Sequence, residues 1–310
     1  MRALTDPIEP APAGLDMPCF GLGTWLSQPG EAGAAVRWAI DHGYRLIDCA
    51  SIYENEAEIG ATLRDIFGAG PVSRDDVWIT SKLWNDCHEP QRVREACLRT
   101  LDDLGLERLD LYLVHFPVSF VHGVKDPTSS SQMTNVPIED TWAAMEALVD
   151  DGLVRHIGVS NFEVDDLARV QRSASMMPAV NQFECHPLFS RADLVDYCHR
   201  HDIAVTAHTS LGSPMNGMHA HASLLANESI AAIGETHGKS AAQVLLRWAL
   251  QRGLSVIPKS VREDRLVENS QIFDFELTAG DMSELNGLNR SLRYNHPTTP
   301  WLGRSRFPDD

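Results

Sequence analysis

No apolar run in this 310-residue chain approaches the roughly 20 residues that a bilayer-spanning helix needs. The opening stretch MRALTDPIEPAPAG is polar and proline-rich, without the apolar centre that marks a secretory signal. Positive charge is scarce: 26 Lys and Arg stand against 43 Asp and Glu. A net charge of −17 argues against nucleic acid or an anionic membrane as partner. The six cysteines (Cys19, Cys49, Cys87, Cys97, Cys185 and Cys198) lack CxxC or zinc-ribbon spacing and read as reduced thiols of a cytosolic protein. The run Cys198-His199-Arg200-His201 falls in an amphipathic helical pattern, so no metal site is expected there. No GxGxxG opens a helix, which counts against a Rossmann domain. Nor does any linker divide the chain. A single domain over 1–310 is expected, with 1–14 a flexible tail and 292–310 a loop over the substrate.

What the chain does have is a buried-strand pattern. Leu109 to Pro117, LDLYLVHFP, is a continuous apolar run that ends in a histidine and a proline. Such a run suits a strand covered on both faces, as in a parallel sheet. Pro117 cannot continue the ladder, which leaves His115 at the carboxyl end of the strand. That is the end where parallel α/β folds bind ligands. Alone, His115 is as well explained by a core histidine; the rest of the chain decides.

Strand and helix patterns alternate throughout. DMPCFGLGTW, YRLIDCA, DVWITSKLW, LDLYLVHF, LVRHIGVSNF, PAVNQFECH, IAVTAHTSLG and SVIPKS read as strands, with helical periodicity between most of them. Gly43 suits a helix C-terminus and Pro90 a first turn. Eight βα units in about 250 residues favour a closed (β/α)₈ TIM barrel over an open sheet. Long connections at Val118–Pro137, Ser213–Ser223 and from Leu292 onward would gather over one mouth.

The strand ends are polar. Asp48 ends the second strand with Tyr53 just beyond, Lys82 ends the third and His115 the fourth. Ser160 and Asn161 end the fifth, Gln182 lies at the sixth and His208 ends the seventh. A charge pointing into a barrel mouth costs desolvation unless it is paired. Asp48, Tyr53, Lys82 and His115 suit proton donation to a carbonyl oxygen as hydride reaches its carbon. A phenol ordinarily titrates near about 10, and a neighbouring ammonium lowers that value. Lys82 is therefore expected to lower the pKa of Tyr53, with Asp48 holding Lys82 charged. His115 would bond and orient the carbonyl oxygen. The alternative is an Asp48–Lys82 pair beside an unrelated tyrosine, which four residues at four consecutive elements make a poor account.

Three stretches, DHGYRLIDCASIYENEAEIG (41–60), MEALVDDGLVRHIGVSNF (145–162) and VIPKSVREDRLVEN (256–269), resemble the signatures of the aldo-keto reductases. The resemblance covers nearly the whole chain and implies an NAD(P)H-dependent carbonyl reductase with Tyr53 as general acid. It implies that Ser160, Asn161 and Gln182 hold the nicotinamide carboxamide and that Thr24, Trp25 and Asp48 line the cofactor side. It likewise puts Leu211 and Ser213 beside the pyrophosphate, and Glu268 and Asn269 at the adenine. Lys259, Ser260, Arg262 and Arg265 concentrate donors and positive charge at the start of the following helix. That cluster suits a 2′-phosphate and favours NADPH (NADP+) over NADH, a solvated basic turn being the alternative.

The departures bear on substrate. The family's Tyr-Ser-Pro-Leu-Gly is replaced by His208-Thr209-Ser210-Leu211-Gly212, so a titratable imidazole stands where a ring would stack on nicotinamide. Phe116 follows His115, where many members have tryptophan. HFPV with VTAHT is similar to plant aldose-6-phosphate reductases, and HFPV with LRYNHP to yeast xylose reductases; the shared substrate is a sugar aldehyde. The sugar-phosphate enzymes carry lysine after the catalytic tyrosine, but Glu54 stands here. It would repel a phosphate dianion by on the order of 1–4 kcal/mol. Lys125 and Arg304 are the cations that could offset it. Trp25, Trp84, His115, Phe116, Asn295 and Trp301 are expected to line the substrate pocket, Asn295 donating to a sugar hydroxyl. The reading is thus NADPH-dependent reduction of an aldose by a cytoplasmic monomer or weak homodimer. Alternatives are a broad-specificity small-aldehyde reductase and, of another class, a cofactor-sensing regulatory subunit, which a broken catalytic set would favour.

Overall fold

A computed structural model describes residues 3–7, 9, 11–12, 14–213 and 223–295. The chain runs β1 (Leu22–Gly23), α1 (Glu31–Asp41), β2 (Leu46–Asp48), α2 (Glu56–Ala69), β3 (Trp78–Leu83), α3 (Pro90–Leu104) and β4 (Leu109–Val114). A hairpin of β5 (Ser119–Phe120) and β6 (Met133–Thr134) interrupts the alternation. Then follow α4 (Ile138–Asp150), β7 (Val154–Ser160), α5 (Val164–Ser173), β8 (Val180–Glu184), α6 (Ala192–Arg200) and β9 (Ala204–His208). The described chain ends with α7 (Glu228–His237), α8 (Ala241–Gln251), β10 (Ser255–Val256), α9 (Glu263–Ser270) and α10 (Ala279–Gly287).

Eight strands pair in parallel in the order β1-β2-β3-β4-β7-β8-β9-β10. The sheet closes on itself. Gly21 N donates to Val256 O at 2.9 Å, Val256 N to Cys19 O at 3.0 Å and Gly23 N to Pro258 O at 3.3 Å. A Cβ at Gly23 would stand 2.6 Å from Ile257 O, so a side chain there would push the closing strands apart. The fold is the (β/α)₈ barrel that the alternation predicts.

Strand side chains sort by parity into two layers. Leu46, Trp78, Leu111, Leu113, Val180 and Ala204 fill the barrel interior with Ile257, and Leu15 and Met17 join the same cluster. Ile47, Ile79, Tyr112, Val114, Phe183 and Val205 face the helices instead. Continuing the inward parity up each strand leads from Leu46 to Asp48, from Trp78 to Lys82, and from Leu113 to His115. It leads equally from Val180 to Gln182 and Glu184, and from Ala204 to His208. The mouth is therefore built by residues in phase with the core.

Helices form where the sequence has period and caps. α3 has Pro90 in its first turn, buries Val93, Ala96, Cys97, Thr100, Leu101 and Leu104, and stops at Gly105 with φ 65°. The hairpin, α7 and α10 exceed the sequence expectation. α10 buries only Leu285 and is nucleated by a Thr278–Asp281 capping box, a signal that hydrophobic period does not carry. α7 starts at Asn227, whose side chain accepts from Ile230 N. The six cysteines are buried and form no disulfide. Among the described residues no helix is long and apolar enough to cross a membrane.

α2 and α3 touch at Gly60, where a Cβ would lie 2.3 Å from Asp103 O and 2.6 Å from Leu104 C, both backbone. Gly60→Ala should force these helices apart and cost roughly 1–3 kcal/mol, as overpacking does. The check is the denaturant midpoint at unchanged slope; an unshifted midpoint refutes the close packing.

Candidate active site

Asp48 and Lys82 end β2 and β3 as a buried ion pair, 3% and 0% exposed. Lys82 Nζ donates to Asp48 Oδ1, to the Cys49 carbonyl at 2.8 Å and towards the Tyr53 hydroxyl at 3.4 Å. All three ammonium protons are thereby directed. The second Asp48 oxygen accepts from Gln182 Nε2 at 2.7 Å. Thr24 Oγ1 donates to Asp48 O at 2.8 Å, and Asn55 Nδ2 holds Thr24 O at 2.9 Å. Tyr53 closes a 3₁₀ turn, Ser51–Tyr53, and Glu54 follows in the left-handed region at φ 57°.

Burial tends to lower the Lys82 pKa, but Asp48 and Tyr53 outweigh it and hold the ammonium above its usual value. For Tyr53 the balance runs the other way. Burial pushes the phenol up to about 12, with Lys82 opposing and Asp48 adding to the rise. The expectation that Lys82 would bring Tyr53 below its ordinary value is thus corrected: lost hydration outweighs the ammonium.

His115, 7% exposed, has Trp84 edge-on at 4.9 Å, Phe116 stacked at 5.2 Å and Tyr53 edge-on at 5.9 Å between ring centroids. Burial, and then Lys82, push its pKa well below the usual imidazole value, so the ring is neutral. Asn161, at φ 62°, donates through Nδ2 to His115 O and to Ser160 Oγ, both at 3.0 Å. Its Oδ1 therefore faces His208 Nε2, 3.1 Å away, and that nitrogen carries the proton. Thr209 Oγ1 lies 2.8 Å from His208 Nδ1. Burial pushes His208 down to about 4, Glu184 opposing and Lys82 adding to the fall. The imidazole singled out as titratable is neutral at pH 7.

These groups border a cavity of about 670 Å³. Asp48, Tyr53 and His115 line it, as do Trp25, Trp84, Phe116 and Asn295, expected for substrate. Its wall continues through Thr24, Ser160, Asn161, Gln182 and His208 to Leu211, Ser213 and Lys259, expected for cofactor. Each of the three long connections reaches it, through Asp126, Ser213 and Asn295.

The Aldo/keto reductase family matches residues 19–290. The chain belongs to that family. It is 44% identical to aldo-keto reductase family 1 member A1-A of Danio rerio over 96% of this chain and 94% of that one. Aldose reductase B of Dictyostelium discoideum is 43% identical over 89% and 90% of the two chains. The structure of the aldose reductase from Schistosoma japonicum superposes with a TM-score of 0.85 at 44% identity, over 93% of each chain. This aldo/keto reductase is an oxidoreductase acting on carbonyl groups. Nicotinamide cofactors are general in its family.

The lining suits such a cofactor: hydroxyl and amide groups from Ser160, Asn161 and Gln182 converge near a fixed planar imidazole, with a lysine farther along the wall. The rest of the anion cluster stands apart. Ser260, Arg262, Arg265, Glu268 and Asn269 are absent from the cavity wall. Arg262 pairs with Asp264 at 2.5 Å, and Arg265 with Glu268 at 2.5 Å. Ser260 Oγ accepts from Arg262 N at 3.1 Å, and Asn269 is buried. Lys259 alone of the cluster reaches the wall, its Nζ donating to Leu26 O at 3.2 Å. Trp301 and Arg304 lie outside the described residues.

Sequence reasoning missed two features of this aldo/keto reductase. Lys125, named as a cation able to offset Glu54, pairs with it, but the bond from Trp84 Nε1 to Lys125 O at 2.9 Å, which ties the hairpin loop to the mouth, was not foreseen. No local pattern links residues so far apart. Glu184, in phase with Gln182, was legible from strand parity. Elsewhere, Asp86, Cys87 and His122 bring ligand atoms within 4.8 Å of one another. Burial, then Asp86, push the Cys87 thiol up to about 12.

Lys82→Met should lower unfolding free energy by about 3–5 kcal/mol, because it strands a buried carboxylate. Adding Asp48→Asn should recover part of that loss in urea denaturation. A single-variant cost below about 1 kcal/mol would show that the pair is not desolvated.

Proposed function

We propose that this enzyme reduces an aldehyde, specifically an aldose, with NADPH, and that Tyr53 is the proton donor. The observation that carries the reading is the Tyr53 hydroxyl, 3.4 Å from a buried, Asp48-paired ammonium and bordering the same cavity as His115. When bound, the reduced nicotinamide supplies the hydride. A neutral His115 donates a hydrogen bond that orients the carbonyl oxygen. Tyr53 holds its proton at neutral pH and releases it to the alkoxide as that oxygen becomes basic. The phenolate left behind faces the Lys82 ammonium, which Asp48 keeps charged. Trp25, Trp84 and Phe116 keep the reacting carbon dry.

Glu54 and Asp126 support a neutral sugar over a sugar phosphate. The first stands beside Tyr53 and already engages Lys125; the second borders the cavity. A phosphate dianion at this mouth would meet these two carboxylates against Lys125. The dry aromatic wall also favours simple aromatic aldehydes, so turnover of both classes is expected.

Lys259, Arg262 and Arg265 would hold the 2′-phosphate, with Ser160, Asn161 and Gln182 at the carboxamide. Both arginines must exchange a carboxylate partner for the phosphate, an even exchange of ion pairs that adds the phosphate's second charge.

Tyr53→Phe should lower kcat by on the order of 10²–10⁴, the range for a lost general acid, with cofactor affinity unchanged by tryptophan-fluorescence titration. Retention of half the activity would end the assignment. Arg265→Ala should weaken NADPH by about 1–2 kcal/mol, the lower part of the charged range because the guanidinium is exposed and already paired, and NADH far less. Equal losses for the two cofactors would mean that Arg265 does not read the phosphate.

A further inference from the structure

Glu184 ends β8 beside His208 in register and is 3% exposed. Its carboxylate takes three donors. His186 Nε2 lies 2.9 Å from Oε1, Tyr294 N donates to Oε1 at 2.6 Å, and Asn295 N donates to Oε2 at 2.8 Å. Burial would raise its pKa, but the His186 bond and the other partners reverse this and hold the carboxyl at about 2. Two consecutive backbone N–H groups on the two oxygens of one carboxylate fix the direction of the chain as well as its position. The Tyr294 ring, 4% exposed, lies 4.9 Å from the His186 ring, and a Cβ at Gly212 would stand 3.8 Å from it. Farther out, Arg293 approaches Glu163 at 3.7 Å.

A buried carboxylate is an expensive means of holding a chain end, since an apolar contact would do so without desolvating a charge. What it adds is direction. The residue it fixes, Asn295, lines the catalytic cavity. We infer that Glu184 is the positioning residue for the substrate end of the cavity: it anchors the backbone at Tyr294 and Asn295 and so sets where Asn295 meets the substrate. This rests on reading Asn295 as a contact to a sugar hydroxyl. Glu184 itself touches no reacting atom.

The test is Glu184→Gln, which keeps the shape but sets an amide donor against one of the two backbone N–H groups. Exchange of the Tyr294 and Asn295 amides, read by hydrogen-exchange mass spectrometry, should quicken about tenfold or more while the barrel strands stay protected. The KM for xylose should rise roughly 5–20-fold with kcat within about twofold, the scale of one or two lost hydrogen bonds. Both constants for benzaldehyde should stay within about twofold. Unchanged exchange overturns the anchor, and faster exchange with an unchanged xylose KM overturns the positioning role. If neither protein reduces xylose or another aldose, the sugar reading falls, and the exchange result still decides the anchor. Tyr294→Ala removes the ring against His186 without touching the buried carboxylate. The carboxylate still holds both amides in this variant, so they should stay protected; faster exchange there would assign the anchor to the ring instead, which decides the question if Glu184→Gln does not fold.

Discussion

The mouth of this barrel depends on taking one ammonium and one carboxylate out of water together. Either Lys82 or Asp48 alone in that position would be prohibitive. Paired, with the other ammonium protons directed at Cys49 O and Tyr53 and the second carboxylate oxygen held by Gln182, they form a rigid charged floor. The other groups take their protonation from that floor and from burial. His115 and His208 are neutral and Tyr53 keeps its proton. Around that pair the site presents a protonated phenol and two neutral imidazoles to whatever enters.

This explains why much of the site was legible in the sequence. Asp48, Lys82, His115, Gln182 and His208 stand where strands run out, in phase with the apolar residues that fill the barrel, so periodicity alone brings them to one mouth. The direction of the Tyr53 shift was not legible. A sequence names the ammonium nearby but not how strongly burial opposes it, and here burial is the larger influence. The bond from Trp84 to Lys125 O and the grip of Glu184 on Tyr294 and Asn295 join distant segments, and nothing local announces them. α10 was missed for a different reason: its cap is strong and its apolar face nearly absent.

Charge is also distributed with a purpose that the total conceals. A chain with net charge −17 gathers Lys259, Arg262 and Arg265 after β10, while Asp126 borders the cavity and Glu54, next to Tyr53, pairs with Lys125. The nearby acids Asp264 and Glu268 pair with the two arginines, so the surface is quenched until a stronger anion competes. Long-range attraction of an anion is correspondingly weak, and discrimination must come from contact.

The bonds that join β10 to the first strand have a temporal side. Cys19, Gly21 and Gly23 leave the ribosome more than 200 residues ahead of their partners Val256 and Pro258. Until then the first strand is an open edge, with unpaired N–H and C=O groups able to pair with another chain. Local βα units can form as they appear, but ring closure waits until β10 has been made. Over that interval the nascent chain carries an open strand edge, which is the kind of edge that invites pairing with another chain.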